Sequence, residues 1–170
     1  TPPLLLMGPS GSGRATVASA AAGSARRGLV ELTWSFRRQE QLQAAAREAL
    51  WHQSVLLVTV PDGASHEEVA GLWEALSLWK LPLALAIPPS LLERVRQACE
   101  LEPVVLELGR FDSSQREQLW RRLLPEERSA FSVHELQQLA SRFDLLPGQI
   151  ARALQSARAR QTMAGEPLDL

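Results

Sequence analysis

The strongest constraint on this chain is a repeated alternation. Short apolar runs at 3–7 (PLLLM), 29–33 (LVELT), 54–60 (SVLLVTV), 82–87 (PLALAI) and 104–108 (VVLEL) are separated by longer stretches of helical periodicity. Those stretches are Arg14 to Ala22, Arg37 to Trp51, Ser65 to Leu78 and Ser90 to Cys99. A continuous apolar run, rather than a polar/apolar alternation, is the pattern of a parallel strand buried on both faces. All five runs read as such strands. The order βαβαβαβαβ then predicts an α/β fold: a five-stranded parallel sheet with helices on both faces.

After Leu108 the pattern changes. No further strand is expected, and three helical segments follow. "FDSSQREQLWRRLL" starts at an Asp112 or Ser113 cap, and "SVHELQQLASRF" opens with Ser132 and Glu135 at capping-box spacing. "PGQIARALQSARARQ" begins at Pro147 and Gly148 and runs as an arginine-rich amphipathic helix. The expected organisation is an α/β core over 1–109, a small helical unit over 110–163, and a tail or linker over 164–170.

With 170 residues, 45% hydrophobic and 22% charged, the chain is long enough to bury a core and sits in the ordinary globular range. No apolar run approaches the roughly 20 residues that span a bilayer. The start "TPPLLLMGPSG" lacks the basic segment of a secretory signal, so a cytoplasmic location is expected and no membrane partner. The net charge of −1 and the lack of a basic stripe argue against nucleic acid. The single cysteine, Cys99, excludes an internal disulfide and reads as a packing residue. Lys80 is the only lysine, and tyrosine is absent.

Within this frame "LLLMGPSGSGRAT", Leu4 to Thr16, is the stretch that carries chemistry. A strand, then Gly8, four residues, Gly13 and a helix is the spacing of a phosphate-binding loop. Glycines permit positive φ and close approach, so successive amides and a helix N-terminus can face an anion. Gly8, Pro9, Ser10, Gly11, Ser12 and Gly13 keep that cradle, and Arg14, Ala15 and Thr16 complete the candidate site. Arg14 stands where a lysine would give a compact charge to the outer phosphates. Ala15 stands where a hydroxyl would hold Mg²⁺. Thr16 is rotated by about 100° from that position.

The third and fourth strands tell the same story. A hydrolysing enzyme of this kind needs acidic groups at the end of its third strand to hold Mg²⁺ and orient water. Here "VLLVTVPDG" places Thr59 and Val60 there, with Asp62 beyond Pro61. The fourth strand ends "ALAIPPS", where Ile87 and Pro88 offer no donor side chain to sense a terminal phosphate. No catalytic residue and no metal ligand is assigned, and Mg²⁺ is not expected. ATP or ADP is expected to bind weakly or not at all.

These segments together resemble an AAA+ ATPase module, a P-loop NTPase, over nearly the whole chain. "LLLMGPSGSGRAT" resembles the Walker A region, "SVLLVTVPDG" Walker B, and "LPLALAIPPSLLERV" the sensor strand and its helix. "VVLELGRFDSSQREQLWRRLLP" is similar to the passage into the helical lid, and "FDLLPGQIARALQSARA" to the lid helix that opens on a Gly-x-Ile turn. The resemblance implies a nucleotide-binding core, a lid, and assembly with other AAA+ modules or subunits into homo- or hetero-oligomeric rings. The replacements at Arg14, Ala15, Thr59, Val60 and Ile87 make the chain similar to the inactive module of a tandem AAA+ protein, acting in ring assembly or regulation.

The resemblance also draws attention to arginines. Arg94 and Arg96 lie roughly where the family places an arginine that reaches a neighbour's phosphate, and Arg152 lies one residue off the usual position of a lid arginine. Solvated helix positions are the competing reading for all three. His52, His66 and His134 have no ligand spacing. Trp51, Trp73 and Trp120 are expected to pack in the core or lid. Two other functions compete: a phosphoryl-transfer enzyme with a variant loop, because "GPSGSG" also suits a nucleotide kinase, and a non-catalytic clamp-loader-like subunit.

Overall fold

The computed structural model describes residues 2–35, 39–99, 101–124 and 131–164. The chain divides into two compact units, Thr1–Leu108 and Gly109–Leu170. No helix among the described residues is long and apolar enough to cross a membrane.

The first unit contains strands β1 (Leu4–Met7), β2 (Leu29–Thr33), β3 (Val55–Thr59), β4 (Leu83–Ile87) and β5 (Val104–Glu107). Between them run α1 (Arg14–Ser24), α2 (Gln39–Trp51), α3 (His66–Ser77) and α4 (Leu92–Ala98). The fold is therefore α/β, as the alternation of apolar runs predicts. Arg37 and Arg38, expected at the start of α2, lie outside the described residues. A 3₁₀ turn, Pro89–Leu91, shortens the helix expected from Ser90, with Pro89 in its first turn.

All pairings are parallel, in the order β2-β3-β4-β1-β5. The step from β1 to β2 moves one way across the sheet and every later step moves the other way. With right-handed crossovers, α1 covers one face and α2, α3 and α4 the opposite face. Side chains divide accordingly. Leu5, Met7, Val58 and Ile87 pack with Leu42, Leu72 and Val95, whereas Leu6, Leu57, Ala84 and Ala86 pack with Ala18. The alanines on both sides of the α1 layer let helix and sheet approach closely.

The two outer strands correct the sequence reading. β2 and β5 were expected to be buried like the central three, yet both are edges. Val104 of β5 is 56% exposed, Val105 and Leu106 are also exposed, and Glu31 and Thr33 of β2 face solvent. Apolar content identifies a strand but not its place in the sheet, which is set by long-range pairing. Trp51 is a second correction. It is 85% exposed, not packed. The buried stripe of α2 is Leu42, Ala45, Ala46 and Ala49, and two residues beyond Ala49 the helix has turned about 200°. Trp120 is buried and Trp73 half-buried, as expected.

The second unit is helical: α5 (Ser113–Leu123), α6 (Val133–Arg142) and α7 (Pro147–Ala164). Asp112 caps α5, with Gln115 returning the bond. Ser132 and Glu135 form the expected capping box: Glu135 N–H donates to Ser132 Oγ at 3.2 Å and Ser132 N–H to Glu135 Oε2 at 2.7 Å. Trp120, Leu124, Leu136, Ala140, Ile150 and Leu154 form the core of this unit. Of the segment 164–170, expected as a tail or linker, Ala164 is the last residue of α7 and 165–170 lie outside the described residues.

Candidate functional site

The loop between β1 and α1 begins where three adjacent strands end level. Met7 is in register with Ile87 of β4 and Glu107 of β5. Gly8 N–H donates to Ile87 O at 3.2 Å, and Leu108 N–H to Met7 O at 2.7 Å. The carboxyl ends of parallel strands, beside a reversal in strand order, are where α/β folds place ligands.

Glycine is required here for two different reasons. A Cβ on Gly8 would lie 2.5 Å from the main-chain oxygen of Leu108 and 2.7 Å from Ser12 Oγ, so only a bare Cα fits. Gly11 and Gly13 have φ of 90° and 95°, in the left-handed region. Gly13 is the N-cap of α1 and contributes no side chain to the helix start. The loop closes through Ser12 N–H to Pro9 O at 3.1 Å, and Val17 N–H donates to Gly13 O at 3.0 Å. The amides of Gly11, Gly13, Arg14 and Ala15 have no main-chain acceptor among the described residues.

Two side chains of this segment carry a buried polar atom without a hydrogen bond, and Ser12 Oγ is the one that lies beside Gly8. Ser12 is 4% exposed and Arg14 7% exposed, and both Ser12 Oγ and Arg14 Nη1 are buried without a hydrogen bond. Burial lowers the pKa of the Arg14 guanidinium, an effect that the Asp62 carboxylate opposes. Arg14 is thus a cation held beneath the surface with its charge incompletely compensated. Ala15 is half-buried against the α1 layer, and Thr16 is exposed on the other side of the helix.

At the neighbouring strand ends, β3 runs from Thr59 into Val60, β4 ends at Ile87 and β5 at Glu107. Val60 is 1% exposed and Ile87 fully buried, both within the core beneath α2, α3 and α4. Asp62 is exposed, past the end of β3. Among the described residues no group of His, Cys, Asp and Glu side chains is arranged to hold a metal. His134 pairs with Gln138, a residue of its own helix. The loop amides without a main-chain acceptor, at the start of α1, present donors of the kind that suit an anion.

Other candidate residues are engaged locally. Arg96 forms an ion pair with Glu102, which raises its pKa, and Arg94 is exposed on the same helix. Arg152 Nε donates to Gly148 O of its own helix at 3.3 Å. Cys99 packs against the α2–α4 core, and burial followed by the charge of Glu102 pushes its thiol up to about 11.

The helical unit contains a network that the sequence did not announce. Arg116 is buried to 8% exposure, with Nε donating to Ala140 O at 2.8 Å and Nη1 donating to Phe111 O and to Asp144 Oδ1. Arg110 binds the other carboxylate oxygen of Asp144 at 2.7 Å. Nothing in the spacing of residues 110, 116 and 144 marks them as partners.

The first unit is an α/β fold, a five-stranded parallel sheet with helices that is consistent with a P-loop-like core, and a helical unit follows it in the chain. Residues 112–169 match the family model described as the contractile injection system ATPase helical domain. That segment contains the caps at Asp112 and Ser132, the Arg116–Asp144 pair and the Gly-x-Ile sequence at Gly148 and Ile150. The match links the helical unit to an ATPase-associated family. The curated proteins give no match to the chain.

Proposed function

We propose that the chain is an AAA+-like module that does not turn over ATP and serves in the assembly or regulation of an oligomeric ATPase of the contractile injection system. The observation that carries this reading is the seating of Val60 and Ile87 in the core at the strand ends where catalysis would need a carboxylate and a polar sensor. Neither position can present a catalytic group without placing that group among apolar side chains, which is costly. Ala15 adds the loss of a metal ligand. Retention of the glycine loop, the parallel sheet and the helical unit supports a role that depends on shape and assembly. The partners in this reading are other AAA+ modules or subunits.

The test is a coupled assay of phosphate release from ATP with Mg²⁺, run beside sedimentation of the purified chain and of its mixture with a catalytically complete ATPase module. The expected result is no turnover above background, with association in the mixture. Turnover that is abolished by Asp62→Ala would overturn the reading.

A further inference from the structure

The helical unit is an incomplete bundle. Among the described residues α5 packs against both α6 and α7, whereas α6 and α7 scarcely touch each other. Arg158 Nη2 donates to Leu123 O at 3.0 Å, which fastens α7 to the end of α5. A groove is left between α6 and α7, with the buried Trp120 of α5 at its floor and Leu139, Phe143 and Leu145 along one side. We infer that this groove docks an acidic amphipathic helix of a partner protein, which takes the place of a fourth helix. The inference concerns the helical unit alone and is independent of the loop between β1 and α1.

The shape of the groove selects a helix. On its other side α7 presents Ala153, Ser156, Ala157 and Arg160, at the i, i+3, i+4, i+7 spacing of one helical face. Ala153 and Ser156 are exposed and too small to cover the apolar side chains opposite, and Phe143 is left 46% exposed. A flank of small residues lets a second helix approach closely, and the apolar strip between the walls matches the stripe of an amphipathic helix.

Charge selects the kind of helix. α7 contains Arg152, Arg158 and Arg160 and no acidic residue. Arg160 lines the groove itself, and the Arg142 guanidinium lies over the Phe143 ring, 5.8 Å from its centre. Neither Arg142 nor Arg160 has an ion-pair partner among the described residues. The acidic residue of the adjoining surface, Glu135, is engaged by Ser132 at the start of α6. Cations beside an apolar groove favour carboxylates on the flanks of the incoming helix and repel lysine or arginine there. Nucleic acid would meet an apolar floor instead of a row of phosphate contacts.

Fluorescence anisotropy of two labelled peptides of about 18 residues, five helical turns, tests this on the purified chain. The peptides share one leucine stripe and differ in its flanking residues, Glu in one and Lys in the other. The Glu peptide is expected to bind saturably, at least about tenfold tighter than the Lys peptide at low salt, with the difference narrowing as salt is raised. Its helical circular dichroism should rise on binding. Ala153→Trp, which fills the groove from an exposed position, should weaken the Glu peptide by about tenfold or more. Arg160→Glu should reverse the preference between the peptides. Should Ala153→Trp disturb the fold, Ser156→Glu carries the test, because it sets a carboxylate on the groove wall and repels the Glu peptide. No saturable binding of the Glu peptide, equal affinity for both peptides, binding without gain of helix, or binding indifferent to these variants overturns the proposal. So does displacement of the Glu peptide by duplex DNA, which would assign the cations to nucleic acid. Self-association of the chain that is abolished by Ala153→Trp would assign the groove to a second copy and overturn it as well.

Discussion

Arg116 Nη1 lies 2.7 Å from Asp144 Oδ1, joining the first helix of the helical unit to the segment between its second and third. The same guanidinium donates to the main-chain oxygens of Ala140 and Phe111. One side chain thus satisfies a carbonyl in the last turn of α6 and fixes the residue that leads into α5. Arg116→Ala leaves both oxygens without their donor, and charged hydrogen bonds of this kind contribute about 1.5–3 kcal/mol each, net of the exchange with water and less where solvent can replace the donor. We expect a net loss of about 2–3 kcal/mol. Faster hydrogen exchange in α5 and α6, with the sheet unaffected, is the measurement. Arg116→Lys should recover only part, since lysine cannot reach three acceptors as a fork.

A second expectation concerns the loop. The double change Arg14→Lys and Ala15→Thr supplies the lysine and the hydroxyl that a metal-dependent phosphate loop uses. ATP binding should become Mg²⁺-dependent, tightening by about tenfold between EDTA and Mg²⁺ in calorimetry. Turnover should remain absent, because Thr59, Val60 and Ile87 are unchanged. Appearance of Mg²⁺-dependent hydrolysis would show that these strand-end residues are not what silences the site.

The Cys99 thiol, pushed up to about 11 from a reference of 9.0, should react slowly with alkylating reagents. The thiolate is the reactive form, so a rise of that size lowers its fraction near neutrality by roughly a hundredfold. The rate should keep climbing as pH rises toward about 11. Mass spectrometric counting of alkylated protein against time at several pH values reads this directly, and a plateau near pH 9 would contradict it.

The capping box of α6 gives a pH prediction of defined sign. The hydrogen bonds from the Ser132 backbone and side chain hold the Glu135 carboxylate below its reference of 4.5. A depressed folded-state value means that the contribution is fully present above 4.5 and is lost as pH falls through the folded value. Loss of the Ser132 side chain as the N-cap of α6 should reduce stability by about 1 kcal/mol at neutral pH in Ser132→Ala. The gap between this variant and the parent should narrow in acid. Denaturant midpoints at neutral and acidic pH check both statements.

How much of this was legible in advance follows from the range of each signal. Buried central strands, helix starts at Asp112 and Ser132, and the glycine loop are written in residues that are adjacent or within one helical turn. Steric freedom at Gly11 and Gly13 and the reciprocal bonds of Ser132 and Glu135 involve only such neighbours. The capping box at Ser65 and Glu68 is equally readable from its spacing. Trp51 is exposed because its angular position on α2, and not its aromatic character, decides its burial.

What the sequence by itself determined is the order of elements, their caps and the backbone chemistry of the loop between β1 and α1. The tertiary structure alone decided that β2 and β5 are edges, that Arg116 meets Asp144, and that Ser12 Oγ and Arg14 Nη1 are buried without a hydrogen bond. These depend on pairings between residues far apart in the chain, where no local propensity acts. Edge position follows from which strands find two neighbours. The state of Arg14 follows from what its guanidinium meets once β1 and β3 are brought into one sheet, with Asp62 just beyond the end of β3.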